Sequence, residues 1–339
     1  MSSGAWVNLL RYLPRLGLPL SVLLISFQAV GSPLPDRGFR AAGTPTLRFA
    51  TNDVVAFVGG GDVAAARNTG HLETLLTIGH RNLRLRFRNF GWEGDTVFAQ
   101  PREVGFPSLR TNLQKAGITV VFVQFGRAEA LDSSMDERRF ISAYGKFLGN
   151  SLPVNARAVL VAPPPFERAA APLQDLSRFN RQLGVYVQAI GELGRARNVP
   201  VVNLFAALSP QTSHDPMLTD DGLQLTQQGH ARIAQAFAQE VGLATLAAAA
   251  SALTPTGAWQ DRDLEAVRQQ VIAKNVLWFN YSRPQNWAFL GGDRTTQPSS
   301  HDHRDPNVRW FPDEMERYLP LITEAEQRLH DLAGRVQLK

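Results

Sequence analysis

Cysteine is absent from all 339 residues. That excludes a disulfide framework, a thiolate-held metal and a cysteine nucleophile. A surplus of one charge is nearly absent as well, with 35 Lys and Arg against 30 Asp and Glu. So slight a balance gives no footing for nucleic-acid binding, and Arg11, Arg15, Arg37 and Arg40 place much of the surplus near the start. Long apolar runs are missing too. The most apolar stretch, residues 16–27, contains Pro19 and is shorter than the roughly 20 residues a spanning helix needs. No internal repeat is evident. What remains is a chain that is 44% hydrophobic, enough for a sizeable core in one large or two small domains.

Residues 1–31 read as a targeting segment. Arg11 and Arg15 precede the apolar run, and Ala29-Val30-Gly31 supplies small residues at the spacing of a cleavage site. The mature chain is therefore expected to begin near Ser32, in an exported compartment. Residues 32–50, with Pro33, Pro35 and Pro45, read as an exposed linker.

From Thr51 the pattern changes. Residues 54–58 are a continuous apolar run, followed by Gly59, Gly60, Gly61 and Asp62, then an amphipathic helix. A buried strand turning through glycines into a helix is the first unit of a parallel α/β sheet. Further strands are expected at 83–89, 119–125, 156–162 and 199–204. Helices are expected near 108–116, 136–149, 173–197 and 229–241, the last capped by Thr226. In the second strand Arg84, Arg86 and Arg88 alternate with Leu85 and Phe87, as on an edge strand whose charged face blocks pairing. Five strands joined by helices predict a three-layer α/β/α domain over 51–243.

A parallel sheet gathers the loops after its strands at one edge. Those loops carry FVGGGDV, GWEGDT, FGRAE and DDGLQLT, in that order. Their order and spacing resemble the SGNH (GDSL-type) hydrolases, a family of esterases, acylhydrolases and carbohydrate deacetylases. The resemblance implies a nucleophilic serine in the first block and an oxyanion-hole glycine in the second. It further implies an asparagine donor in the third and an Asp-x-x-His acid and base pair in the last. Carried over residue by residue, the nucleophile position holds Gly61 and the preceding aspartate position Gly60. The second block keeps Gly94. The third has Ala128 for asparagine and Glu129 for aspartate. The last keeps Asp221, the retained acid position, but has Gln224 where the histidine belongs.

Gly61 has no side chain, and glutamine does not titrate near neutral pH, so acyl transfer by the family's route lacks both nucleophile and base. Losing an oxyanion donor at Ala128 removes about 3 kcal/mol more in comparable sites. The expected role is binding of a carbohydrate, an acylated small ligand or a partner protein at the degenerate mouth. The residues concerned are Gly61, Asp62, Gly94, Ala128, Glu129 and Gln224, without cofactor or metal. The alternative is an active ester hydrolase or deacetylase that uses rearranged loop carboxylates among Asp62, Glu93, Asp95, Glu129 and Glu167. Taken singly, Asp62 and Asp95 read as caps, Glu129 as an arginine's partner and His230 as a packing residue.

An alanine-rich connector, 244–252, leads to a mainly helical, aromatic-rich extension over 256–339 with Trp259, Trp278, Trp287 and Trp310. A stretch of it, AKNVLWFNYSRPQNWAFLGG, is similar to an extension that follows SGNH-like domains in some large secreted bacterial proteins. His301, Asp302, His303 and Asp305 form its one cluster of metal-ligand types, read as a solvated loop rather than a site. Arg283, Asn286, Asp293 and Arg294 either line a polar pocket or satisfy backbone groups. The apolar faces of its two long helices, Leu264, Val267 and Val271 on one and Ile322, Leu329, Leu332 and Val336 on the other, need a partner surface. Docking onto the α/β domain is expected, with recruitment of another protein through the last helix as the rival.

Overall fold

Valine-rich runs too short for helices lie side by side as parallel strands. The computed structural model describes residues 46–132, 134, 136–210 and 217–337; the expected export segment lies outside them. The first half holds β1 (Val54–Gly59), α1 (Gly61–Thr69), α2 (His71–Gly79), β2 (Arg86–Asn89), α3 (Leu109–Lys115), β3 (Val120–Gln124), α4 (Arg127–Ala130) and α5 (Glu137–Ser151). The α/β part is completed by β4 (Arg157–Ala162), α6 (Asn180–Arg197), β5 (Val201–Asn203), α7 (Leu204–Leu208) and α8 (Gln227–Glu240). Then come α9 (Ala244–Ala249), α10 (Arg262–Ser282), α11 (Trp287–Leu290), α12 (Trp310–Glu316) and α13 (Tyr318–Arg335).

The five strands form one sheet in the order β2-β1-β3-β4-β5, and every pairing is parallel. Alternation along each strand feeds two cores. Val54, Ala56, Val58, Val121 and Val123 pack with Leu113, Phe140, Tyr144 and Leu183 of α3, α5 and α6. Val55, Val120, Phe122 and Val161 pack on the other face with Leu76 of α2 and Ile233 and Phe237 of α8. Three layers result. Side chains close the open turns at helix starts: Ser108, Asp136 and Thr226 accept from the backbone N–H of Thr111, Arg139 and Gly229, a cap of about 1 kcal/mol each.

Local departures from the sequence expectation have local causes. The helix after the first strand is two helices, broken at Gly70, whose φ is 69°. A β-carbon there would lie 3.1 Å from Val271 Cγ1 of α10, so the break fits the tail against it. The second strand begins at Arg86 rather than residue 83, because Arg81–Leu83 is a 3-10 turn and Arg84 is left-handed. Asp175 accepts from the N–H and hydroxyl of Ser177, and this turn delays the expected long helix to Asn180. The alanine-rich connector is helix α9, with Leu246, Ala247 and Ala250 buried.

The C-terminal helices dock on the α/β domain. Leu264, Val267, Val271, Leu329, Ala333 and Val336 form one core with Leu75 and Ile78 of α2 and Ala234 and Ala238 of α8. The connecting turn is pinned as well: Trp259 Nε1 and Gln235 Nε2 both donate to Ala250 O. Under the helices lies a buried ionic junction. Lys274, fully buried, pairs with Glu73 of α2 at 2.7 Å and donates to Phe87 O of β2 at 3.0 Å. Arg88 of β2 pairs with Glu326 of α13 through both guanidinium nitrogens. The arginine face of the edge strand is thus partly a docking face: Arg88 is buried, whereas Arg84, which donates to Gln327, and Arg86 stay exposed.

Removing one partner of a buried pair leaves an uncompensated charge, at a cost of about 3–5 kcal/mol. Lys274→Ala is therefore expected to lower the urea-unfolding free energy by about that much, while Glu73→Leu with Lys274→Met recovers most of it. Equal stability of the single variant and the parent would show that the junction contributes nothing.

Candidate functional site

The first turn decides what the sheet edge can do. Gly60 follows β1 because nothing larger fits: a β-carbon there would lie 2.8 Å from Asp95 O. Gly61 is different. Its nearest neighbour to a β-carbon would be Glu93 O at 3.9 Å, an ordinary contact. At the position that the resemblance aligns with a nucleophile there is space for a side chain, and none is present. As the first residue of α1, Gly61 also presents one of the helix N–H groups that have no partner within the helix. At Gly94 an added β-carbon would meet nothing within 4 Å.

Asp62 does not cap a helix but accepts two hydrogen bonds from Arg127 Nη1, at 2.9 and 2.7 Å. Arg127 opens α4, one residue before Ala128, and sits under cover, 6% exposed, 4.8 Å from the centroid of Phe166. Its Nε and Nη2 are buried with no hydrogen-bond partner among the described residues. The pair bridges the ends of β1 and β3, beside Gly61. Nothing in the sequence singled out Arg127; its place directly after Gly126 in the third block is the only signal.

The other candidate carboxylates, Glu129, Asp95, Glu167, Asp221 and Glu93, are each engaged. Glu129 meets no arginine; it accepts from Val97 N at 2.6 Å and Gly126 N at 2.8 Å, holding the second loop to the third. Burial pushes its carboxyl up, against those bonds. Asp95 takes a two-point contact from Arg102 at 2.6 and 2.7 Å, and burial pushes it up too. Glu167 accepts from the N–H groups of Leu218 and Thr219 and from the Thr219 hydroxyl, fixing the segment before the last block. Asp221 accepts from Leu223 N and Gln224 N at 2.9 and 2.6 Å, a turn within its own loop, and Gln224 is exposed. Glu93 pairs with Arg67 at 3.1 Å and with Arg283 of the tail at 2.8 Å. Burial opposes its ionisation, but the bonds with Arg283, its own backbone and Arg67 prevail and bring it down to about 2.

His230 is buried in α8 and lines a narrow, mainly apolar cavity of about 60 Å³ with Asp62, Phe57 and Leu225. Burial lowers it to about 4, with the Asp62 charge in opposition. His71 is likewise lowered to about 4 by burial and Arg268; its Nε2 lies 2.9 Å from Gly257 O. In the tail, Arg283 alone of the four polar candidates reaches the second loop, donating to Gly91 O; Arg294 lies over Phe289. His301 contacts Ser300 Oγ and Gln297 O, and the described residues bring together no three metal-ligating side chains. None of their helices is long and apolar enough to cross a membrane.

Residues 59–232 match the model of the GDSL-like Lipase/Acylhydrolase family. Among solved structures, a gut microbial diltiazem-metabolizing enzyme is similar in fold at 12% identity and a TM-score of 0.60, over 87% of this chain and 98% of that one. Coverage that wide takes in the C-terminal helices as well as the α/β domain. Lesser likenesses include LAE5, an alpha/beta hydrolase enzyme from the metagenome of Lake Arreo, Spain (19% identity, TM-score 0.45, 58% of this chain and 98% of that one). Another is Axe2, an acetylxylan esterase from Geobacillus stearothermophilus (15%, 0.44, 58% and 97%). No curated protein matches the chain.

The two buried imidazoles set a pH dependence. Both are neutral in the folded state down to about pH 4, whereas in the unfolded chain they take up protons near 6.5. Between those values the unfolded state binds more protons, so this stability is complete above about pH 6.5 and is lost as pH falls toward 4. The thermal midpoint is expected to drop by at least about 5 °C from pH 7 to 4.5, and His71→Gln should shrink the drop. A flat profile over that range would contradict it.

Proposed function

The chain belongs to the GDSL-like lipase/acylhydrolase family, and from that membership we propose an exported member that binds a carbohydrate or acylated ligand without hydrolysing it. The observation that carries this reading is the Asp62–Arg127 pair beside an empty nucleophile position. Acyl transfer needs a nucleophile and a base to take its proton. The first is replaced by Gly61 and the second by an exposed Gln224. Arg127, in contrast, keeps two buried donors unused; both are covered, so a ligand acceptor reaches them only when the side chains over them, Phe166 among them, give way, and it then relieves the cost of the unmade bonds. A ligand carboxylate or carbonyl oxygen is such an acceptor. The combination supports recognition without turnover.

The test is turnover of activated acetyl esters and acetylated sugars by the purified chain, with a fluorophosphonate probe for a covalent adduct. No turnover and no adduct are expected. Gly61→Ser should fold with its thermal midpoint within about 2 °C of the parent, since its β-carbon has room, and stay inactive because no base stands beside it. Gly60→Asp should lose several degrees, since Asp95 O blocks it. Parent turnover abolished by Asp221→Ala would reverse the reading in favour of rearranged loop carboxylates.

Export is the second part of the proposal, motivated by the basic start, the short apolar run and Ala29-Val30-Gly31. Mass spectrometry of natively expressed protein should find a first residue near Ser32. Intact residues 1–30 in a soluble cytoplasmic fraction would refute it.

A further inference from the structure

Away from the degenerate mouth, the docked tail builds a second concavity. It lies between the loop after β2, helix α3 and the segment from the end of α10 to α13, with a volume of about 440 Å³, in the range of small-molecule sites. None of Gly61, Asp62, Arg127 or Gln224 lines it, so it stands or falls independently of the reading above. Its lining combines aromatic rings with cations: Trp92, Tyr281 and Trp287 with Arg102, Lys115 and Arg283.

The rings and cations are already organised. Trp92 lies between two guanidinium groups, Arg102 at 3.9 Å and Arg283 at 3.8 Å from its centroid. Phe106 packs edge-on to both Trp92 and Trp287, and Trp287 Nε1 donates to Val104 O at 3.0 Å, which fixes the indole. The Lys115 ammonium lies 5.5 Å from the Tyr281 ring centroid. It is two-thirds exposed, and its one carboxylate, Glu316, is as distant as 3.7 Å and itself exposed. Such a pair holds weakly and yields to a competing anion. Arg102 and Arg283, by contrast, are held in place by Asp95 and Glu93.

We propose that this cleft binds an anionic saccharide, with sugar rings against its aromatic side chains and a carboxylate or sulfate against Lys115. The faces of aromatic rings are electron-rich and attract the positively polarised C–H edge of a sugar ring. Fixed rings lose little side-chain freedom on binding. The hydroxyls find donors in the guanidinium groups and in Asn112, which also lines the cleft. Arg88, Arg102 and Arg283 are already neutralised by Glu326, Asp95 and Glu93, so selection of the acidic over the neutral sugar falls to Lys115, whose one carboxylate is the loosely held Glu316. No bond is made or broken at this site.

The test is calorimetric titration of the full chain with three oligosaccharides of equal length: a polyuronate, a sulfated one and a neutral one, with benzoate as a fourth probe. Saturable binding of one or both acidic oligomers is expected, at least tenfold tighter than the neutral oligomer and weakened by added salt. The two acidic oligomers compared at pH 7 separate the sources: the one bound at least tenfold tighter names the anion, carboxylate or sulfate. Lys115→Glu should weaken binding at least tenfold, and Tyr281→Leu several-fold, with thermal midpoints near the parent's. Equal affinity for the neutral oligomer, binding of benzoate without any saccharide, no binding at all, or undiminished binding by Lys115→Glu would each overturn the proposal. If both surface variants melt early, Lys115→Gln with a folded thermal profile decides on the same criterion.

Discussion

The ion pairs buried between β2, α2, α10 and α13 are the constraint on which the rest of the structure depends. Lys274, at 0% exposure, cannot be placed in an apolar interior without Glu73, and Arg88 cannot be buried without Glu326. The four charges come from four elements, one of them separated from its partner by 238 residues. Hydrophobic contact alone would let the tail helices slide; a shifted helix would leave a buried charge unpaired. The junction therefore selects one docking register. That register closes the edge of the sheet at β2, buries α2 from both sides and brings Arg283 to the second loop.

Much of the architecture was legible because its causes are local. Apolar runs bounded by glycine and proline mark the strands, and Thr226 marks a helix start through a bond within its own turn. The family itself was legible because its blocks keep their order along the chain. The partners of the site residues were not legible. Asp62 and Arg127 lie 65 residues apart, with no periodicity connecting them. Glu129 bonds two backbone N–H groups, and any residue but proline supplies one. Gly60 looked like a lost aspartate, yet the approach of Asp95 O makes glycine a steric requirement.

The tail shows a similar division. Its aromatic load and the apolar faces of two long helices required a partner surface, but not which one. Arg84, Arg86 and Arg88 follow the period of an exposed strand face, which suggested an edge charged against pairing. That period reports which side of the strand a residue is on and nothing about what covers it. Here α10 and α13 cover one end of the face, so Arg88 is buried while Arg86 remains exposed.

The carboxylates of the sheet edge bear on whether a rearranged hydrolase could operate there. General acid–base work needs a carboxyl that can reach substrate and exchange a proton near the working pH. Asp62 has both oxygens on Arg127, and Glu93 is held near 2 by Arg283 and Arg67. Asp95 and Glu129 are pushed upward by burial, the direction a general acid needs, but both are nearly inaccessible, at 2% and 3% exposure, with their oxygens committed to Arg102 or to backbone N–H groups. Glu167 is engaged in organising a loop. The residues that shape the edge are thus different from those that would have carried the chemistry. None of the bonds made by Glu129, Glu167 and Thr226 involves the side chain of residue 61 or 224, so the edge keeps its shape independently of what stands at those two positions.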